Sequence, residues 1–124
     1  MRADRARDLG QWETAARLYR RALDRNPGNS AIWIQYGHVL KEAGHEDAEL
    51  AYRQALAYAP RLRDAHVQLA HILKLRGKTE AARQAFLRAF ALDPSLADTL
   101  EALRGLGWSE AEVAEVRATG NRSN

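Results

Sequence analysis

The 124-residue chain carries 19 Lys and Arg against 16 Asp and Glu, a net charge of +3, and no cysteine. A disulfide framework, a thiolate metal site and a cysteine nucleophile are therefore excluded. No apolar run approaches the ~20 residues of a membrane span, and Met1 to Asp8 lacks the apolar stretch of a secretory signal, so a single cytoplasmic domain without a membrane partner is expected.

Glycine and proline punctuate the chain at regular intervals. Gly10, Gly44 and Gly77 mark tight turns that tolerate positive φ, and Pro27, Pro60 and Pro94 stop one helix and set the turn into the next. Between them the spacing predicts helices over roughly 2–9, 12–25, 30–43, 46–58, 63–76, 79–92, 96–104 and 109–118. The first is short, with Ala3, Ala6 and Leu9 in its apolar slots. Helix 12–25 carries Arg17, Arg20, Arg21 and Arg25 among Glu13 and Asp24, whereas the next equivalent helix carries Glu46, Asp47 and Glu49. Aromatic side chains do not interleave with the arginines as stacking platforms, so a solvated basic face is expected and no nucleic-acid partner.

Helix 30–43 contains Trp33-x2-Tyr36-Gly37-x2-Leu40, and helix 63–76 contains His66-x2-Leu69-Ala70-x2-Leu73 in the same slots. Large residues at i, i+3 and i+7 make one apolar stripe, and Gly37 and Ala70 are small where two helices approach closely. Only four positions separate Gly44 from Ala48 against five in the other repeats; a tighter turn is expected there, with the helix stripes unaffected. The fourth unit opens with Leu100-x2-Leu103 and breaks at Gly105-Leu-Gly107. Ser109-x2-Glu112 then reads as a capping box that restarts a helix on Val113 and Val116.

Across these elements Ala15-x3-Tyr19-x2-Ala22-x4-Pro27 recurs as Ala48-x3-Tyr52-x2-Ala55-x4-Pro60 and as Ala82-x3-Phe86-x2-Ala89-x4-Pro94, with the prolines 33 and 34 residues apart. A period near 34 with this content resembles the tetratricopeptide repeat (TPR) proteins over nearly the whole length. The resemblance implies an all-α, right-handed TPR helix-turn-helix solenoid of about three repeats plus C-terminal capping helices. Its expected divisions are a partial repeat 1–28, repeats 29–61 and 62–95 and a capping unit 96–118, in one domain 1–118 with a flexible tail 119–124.

The family's fold places the first helix of each repeat, helix A, along a concave groove and the second, helix B, outside. Outside the packing stripe, the two A helices repeat Ile34 as Val67, Gln35 as Gln68, His38 as His71 and Lys41 as Lys74, each 33 residues apart. Stacked A helices stand ~8–10 Å apart, so these eight residues are the candidate peptide-binding groove. Gln and neutral His both donate and accept hydrogen bonds and Lys attracts carboxylates, which suits an extended or helical peptide with some negative charge. Asp64, Asp98 and Glu101 fall in groove slots towards the C-terminal end and should make it acidic. Family members that clamp a terminal carboxylate use Lys and Asn on successive A helices. Here Ile34 and Val67 hold the early slots and His38 and His71 stand where Asn is required, so a standard clamp is not expected.

His38 and His71 without a placed carboxylate make a poor zinc site, and His66 reads as a helix-interface residue. Trp12, Trp33 and Trp108 fall on packing positions. No phosphate loop or nucleophile elbow is present. A non-enzymatic protein-interaction module without metal or cofactor is therefore expected. Two other readings remain open. Trp33-Ile-Gln-Tyr-Gly-His-Val-Leu-Lys, His66-Val-Gln-Leu-Ala-His-Ile-Leu-Lys and Leu106-Gly-Trp108-Ser look like repeat regions that precede bacterial glycosyltransferase domains, which implies a scaffolding or targeting role. Incomplete terminal units imply self-association through the terminal helices.

Overall fold

The computed structural model describes residues 2–93 and 97–119, with side chains over 2–93 and 99–115. Eight α-helices are present among the described residues: α1 (Arg2–Asp8), α2 (Trp12–Arg25), α3 (Ser30–Glu42), α4 (Ala48–Tyr58), α5 (Arg63–Leu75), α6 (Thr79–Leu92), α7 (Ala97–Gly105) and α8 (Glu110–Thr119). They form two compact units, residues 1–60 and 61–124. In the first, α1 packs on α2, α2 on α3 and α3 on α4; in the second, α5 packs on α6, and α6 on α7 and α8. Pro94, the side chains of Asp98 and Val116, and the tail beyond Thr119 lie outside the described residues. No described helix is long and apolar enough to cross a membrane.

One turn chemistry is used four times. Gly10, Gly44, Gly77 and Gly107 all have positive φ, between 73° and 91°. In the first of these turns the N–H of Gly10 donates to the Arg7 carbonyl at 2.9 Å and the N–H of Gln11 to the Ala6 carbonyl at 2.9 Å. The same double closure recurs at Gly44–His45, Gly77–Lys78 and Gly107–Trp108, and each satisfies carbonyls that a helix end leaves unpaired. The Gly105–Gly107 break is thus the familiar A-to-B turn arriving early. It joins α7 to α8. The predicted capping box forms: the Ser109 hydroxyl accepts from the Glu112 N–H at 3.1 Å, and a Glu112 carboxylate oxygen accepts from the Ser109 N–H at 3.2 Å. Arg83 of α6 donates to the Leu106 carbonyl at 2.7 Å and pins this turn.

The B helices end alike. Asn26, Ala59 and Asp93 leave the helical conformation, with φ between −150° and −139° and ψ between 79° and 89°, and each donates its N–H to the carbonyl four residues back. A following proline in the sequence disfavours the helical conformation in its predecessor. At the start of α3, the Asn29 side chain accepts from the Ile32 N–H at 3.2 Å, the cap that Asn favours.

The core follows the repeated pattern. Tyr19, Tyr52, Phe86 and Phe90 are the largest fully buried side chains, and Ala15, Ala48 and Ala82 of the repeated pattern are buried too. Each such aromatic side chain contributes about 1.5–3 kcal/mol of apolar burial. Trp33 is buried and closes its indole N–H on the Pro27 carbonyl at 2.7 Å. Gly37 is small for a visible reason: a Cβ there would stand 2.8 Å from the Tyr52 ring.

Three expectations are corrected. The residue missing from the second repeat does not tighten its turn. Glu46 and Asp47 instead form a turn ahead of helix B, so α4 starts at Ala48 and has 11 residues where α2 and α6 have 14, and the buried stripe Ala48, Ala51, Tyr52, Ala55 is kept. Leu9 lies beyond the end of α1 and is 63% exposed; the Gly10 turn carries it away from the apolar face. Trp12 and Trp108 are only half-buried, because Trp12 opens α2 and Trp108 sits in a turn, where one side of each ring meets solvent.

Candidate functional site

The predicted site residues fall on the two complete A helices, α3 in the first unit and α5 in the second. On α3, Gln35, His38 and Lys41 are half-buried, while Ile34 is only 6% exposed. Ile34 therefore belongs to the packing and leaves little surface to a ligand. On α5, Val67 and Gln68 are half-buried, and His71 and Lys74 are exposed. Asp64 is half-buried and Glu101 exposed.

In the first unit these side chains join a polar network that reaches α1. Arg7 donates from Nη1 to the Gln35 Oε1 at 2.6 Å and to the Tyr19 hydroxyl at 3.2 Å, and from Nε to the Asp8 carboxylate at 3.0 Å. The Tyr19 hydroxyl in turn donates to Asp4 Oδ1. The Asp8 hydrogen bond, with the charges of Tyr19 and Asp4, raises the Arg7 pKa against a smaller opposing effect of burial. Burial first, and the bond to Asp4 second, push the Tyr19 phenol far above its ordinary value, while the Arg7 charge pulls the other way. On α3, His38 Nδ1 and the Tyr52 hydroxyl share a hydrogen bond of 2.6 Å, with the rings edge to face at 5.6 Å.

Counting back from each turn glycine shows that these contacts are one device in three versions. Asp4, His38 and His71 stand six residues before Gly10, Gly44 and Gly77, and Arg7, Lys41 and Lys74 stand three before. Asp4 meets Tyr19, His38 meets Tyr52, and His71 packs edge-on against Phe86 with ring centroids 5.1 Å apart. Phe86 has no hydroxyl to offer, which is why the third version is a ring contact. Sequence reasoning missed Asp4 and Arg7 because it compared only the second and third A helices and treated the first as truncated. The 34-residue step from Gly10 to Gly44 was the signal that could have found them.

Amide, imidazole and cationic groups alternate at three-residue steps, so each helix offers a row of donors and acceptors on one flank. Among the described residues no group of three or more His, Asp and Glu side chains is placed to hold a metal ion.

Tetratricopeptide repeat models match residues 1–39 and 64–96, together more than half of the sequence. The chain belongs to the tetratricopeptide repeat family. Solved structures share the fold. The first TPR domain of Spaghetti (RPAP3), bound to the HSP90 peptide SRMEEVD, superposes with a TM-score of 0.81 at 18% identity, over 85% of this chain and 84% of that one. The second TPR domain of human RPAP3, in complex with the HSP70 peptide SGPTIEEVD, gives 0.80 at 19% identity, over 87% and 91%. The protein MamA gives 0.81 at 23% identity, over 92% and 67%. No curated protein matches the sequence. The expected all-α tetratricopeptide fold is therefore borne out, and the repeated aromatic, small and proline slots are what carried it.

Proposed function

We propose that this tetratricopeptide chain is a protein-interaction module that binds a peptide along the exposed flanks of its A helices, and that it acts by binding and not by catalysis. The observation that carries the reading is the 33-residue repetition of Gln35, His38 and Lys41 as Gln68, His71 and Lys74. All six side chains are half-buried or exposed, not absorbed into the core. Gln35 brings its amide N–H donors, its Oε1 being taken by Arg7, Gln68 brings the same amide chemistry, imidazoles add a donor or acceptor, and the lysines favour a peptide carrying carboxylates. Val67 supplies apolar contact, and Ile34 supports the row from below. The TPR domains of RPAP3 hold short acidic peptides, which supports the same class of ligand here. The residues that would grip the peptide differ, since histidine stands where a carboxylate clamp requires asparagine.

The test is capture from source-cell lysate, with the wild-type chain beside a variant in which Gln35, His38, Gln68 and His71 are changed to alanine. Circular dichroism establishes that both are equally helical. A partner retained by the wild type and lost by the variant supports the A-helix flank as the working surface. Partners retained equally by both reject it.

A further inference from the structure

A side-chain amide can turn either way, presenting an acceptor or two donors to whatever approaches it. Gln35 of α3 does not have this choice. Arg7 of α1 donates from Nη1 to its Oε1 at 2.6 Å, and a guanidinium carries donors only. Turning the amide over would set the Nε2–H2 group against those donors and lose a charge-assisted hydrogen bond. The direction of the amide is therefore fixed by chemistry: Oε1 faces Arg7 and Nε2 faces away from it.

Arg7 is in turn held from several sides. Its Nε and Nη2 both lie 3.0 Å from Asp8 Oδ1, and Nη1 also reaches the Tyr19 hydroxyl at 3.2 Å and Asp4 Oδ1 at 3.4 Å. Tyr19 is fully buried, so one wall of this cradle belongs to the core and the guanidinium is not free to follow a ligand. Gln35 is half-buried, three residues from His38 and six from Lys41 on α3. Among the described residues none accepts a hydrogen bond from its Nε2. Two carboxylates, Asp4 and Asp8, stand against the one guanidinium in this group, which disfavours a further anion beside it and favours a neutral acceptor.

We infer that Arg7 is a positioning residue for ligand binding on α3: by holding Oε1 it aims the Gln35 Nε2–H2 group at the bound peptide, where a backbone carbonyl oxygen accepts from it. Gln35 thus reads the backbone of the peptide and not its acidic side chains. The assignment rests on the peptide-binding reading given above, and Arg7, its partners and Gln35 all lie in the first unit.

The experiment is a double-mutant cycle read by NMR, titrating the isotope-labelled full chain with a hexapeptide of alternating glutamate and alanine blocked at both ends. In the wild type a Gln35 Nε2–H should move downfield and show NOE contacts to the peptide Hα protons, a result that needs no variant. Arg7→Met should weaken the peptide about fivefold, the loss of one aimed hydrogen bond. Arg7→Lys, which still offers Oε1 only donors, should restore most of the affinity. In a Gln35→Met background Arg7→Met should change nothing, because a residue that acts through Gln35 then has nothing to act on. Well-dispersed spectra establish that the variants are folded. Equal losses in both backgrounds would show that Arg7 acts by its own charge and would overturn the inference, as would no loss in either. NOE contacts confined to the glutamate Hγ protons would make the acceptor a carboxylate and overturn it too. Each of these leaves the peptide-binding reading standing, whereas a peptide that shifts no residue of α3 overturns that reading and the role of Arg7 with it.

Discussion

Replacing Gly37 by alanine sets two effects against each other in a way the structure can decide. Alanine is the better helix former, and an open mid-helix glycine site gains about 1 kcal/mol from the change. At Gly37 the new methyl group would lie 2.8 Å from Cε1, 2.9 Å from Cζ and 3.0 Å from Cδ1 of Tyr52. That ring cannot swing aside freely, because it is fully buried and its hydroxyl is held by His38 at 2.6 Å. Forcing one carbon into such packing costs about 1–3 kcal/mol. The clash wins, and Gly37→Ala should be net destabilising by about 1 kcal/mol, or about 4 °C in Tm for a chain of this size. Gly105 near the end of α7 is the contrast, since a Cβ there meets nothing within 4 Å and its φ is not positive. Gly105→Ala should raise Tm slightly. Thermal unfolding followed by circular dichroism measures both. A Gly37→Ala variant as stable as the wild type, or more so, would refute the close approach of Tyr52 to α3.

Other consequences follow from the same contacts. Tyr52→Phe removes the bond to His38 without changing the ring, and should cost about 1 kcal/mol in urea unfolding; no loss would show that the hydroxyl contributes nothing. Tyr19 has its folded pKa raised above the roughly 10 of an unfolded tyrosine, by burial and the bond to Asp4. The folded state therefore keeps a proton that the unfolded state releases, and the stabilisation is complete below pH ~10 and lost as pH rises further. Stability measured across alkaline pH should fall less steeply in Tyr19→Phe than in the wild type. Ser109→Ala removes the side-chain half of the α8 capping box, a loss of about 1 kcal/mol that should appear as faster amide exchange at the start of α8.

The architecture was legible because helix punctuation is local chemistry. Glycine was needed where the chain takes a left-handed turn, a proline follows α2, α4 and α6 in the sequence, and the Ala–aromatic–Ala spacing placed one buried ring per repeat. None of these depends on distant contacts. The tighter turn expected after Gly44 went wrong for a physical reason. The Gly44–His45 turn keeps both of its hydrogen bonds, and the deletion shows instead in a helix B that begins only at Ala48. The Trp12 and Trp108 positions were misjudged because a residue's place in a repeat fixes the face it points to, but not how far its neighbours extend to cover it. The candidate site was legible as a list of recurring side chains and not as a network. That Gln35 answers to Arg7, and His38 to Tyr52, depends on which helix lies alongside.

The most direct test of the central claim is site-specific photocrosslinking. Benzoylphenylalanine would be placed singly at His71 or Lys74, exposed on α5, and at Arg53 or Arg88, exposed on the B helices α4 and α6. Each chain would be irradiated in source-cell lysate. The account predicts that the α5 positions crosslink one and the same partner and that the B-helix positions do not. Crosslinking of the partner from Arg53 or Arg88, with none from His71 or Lys74, would contradict it.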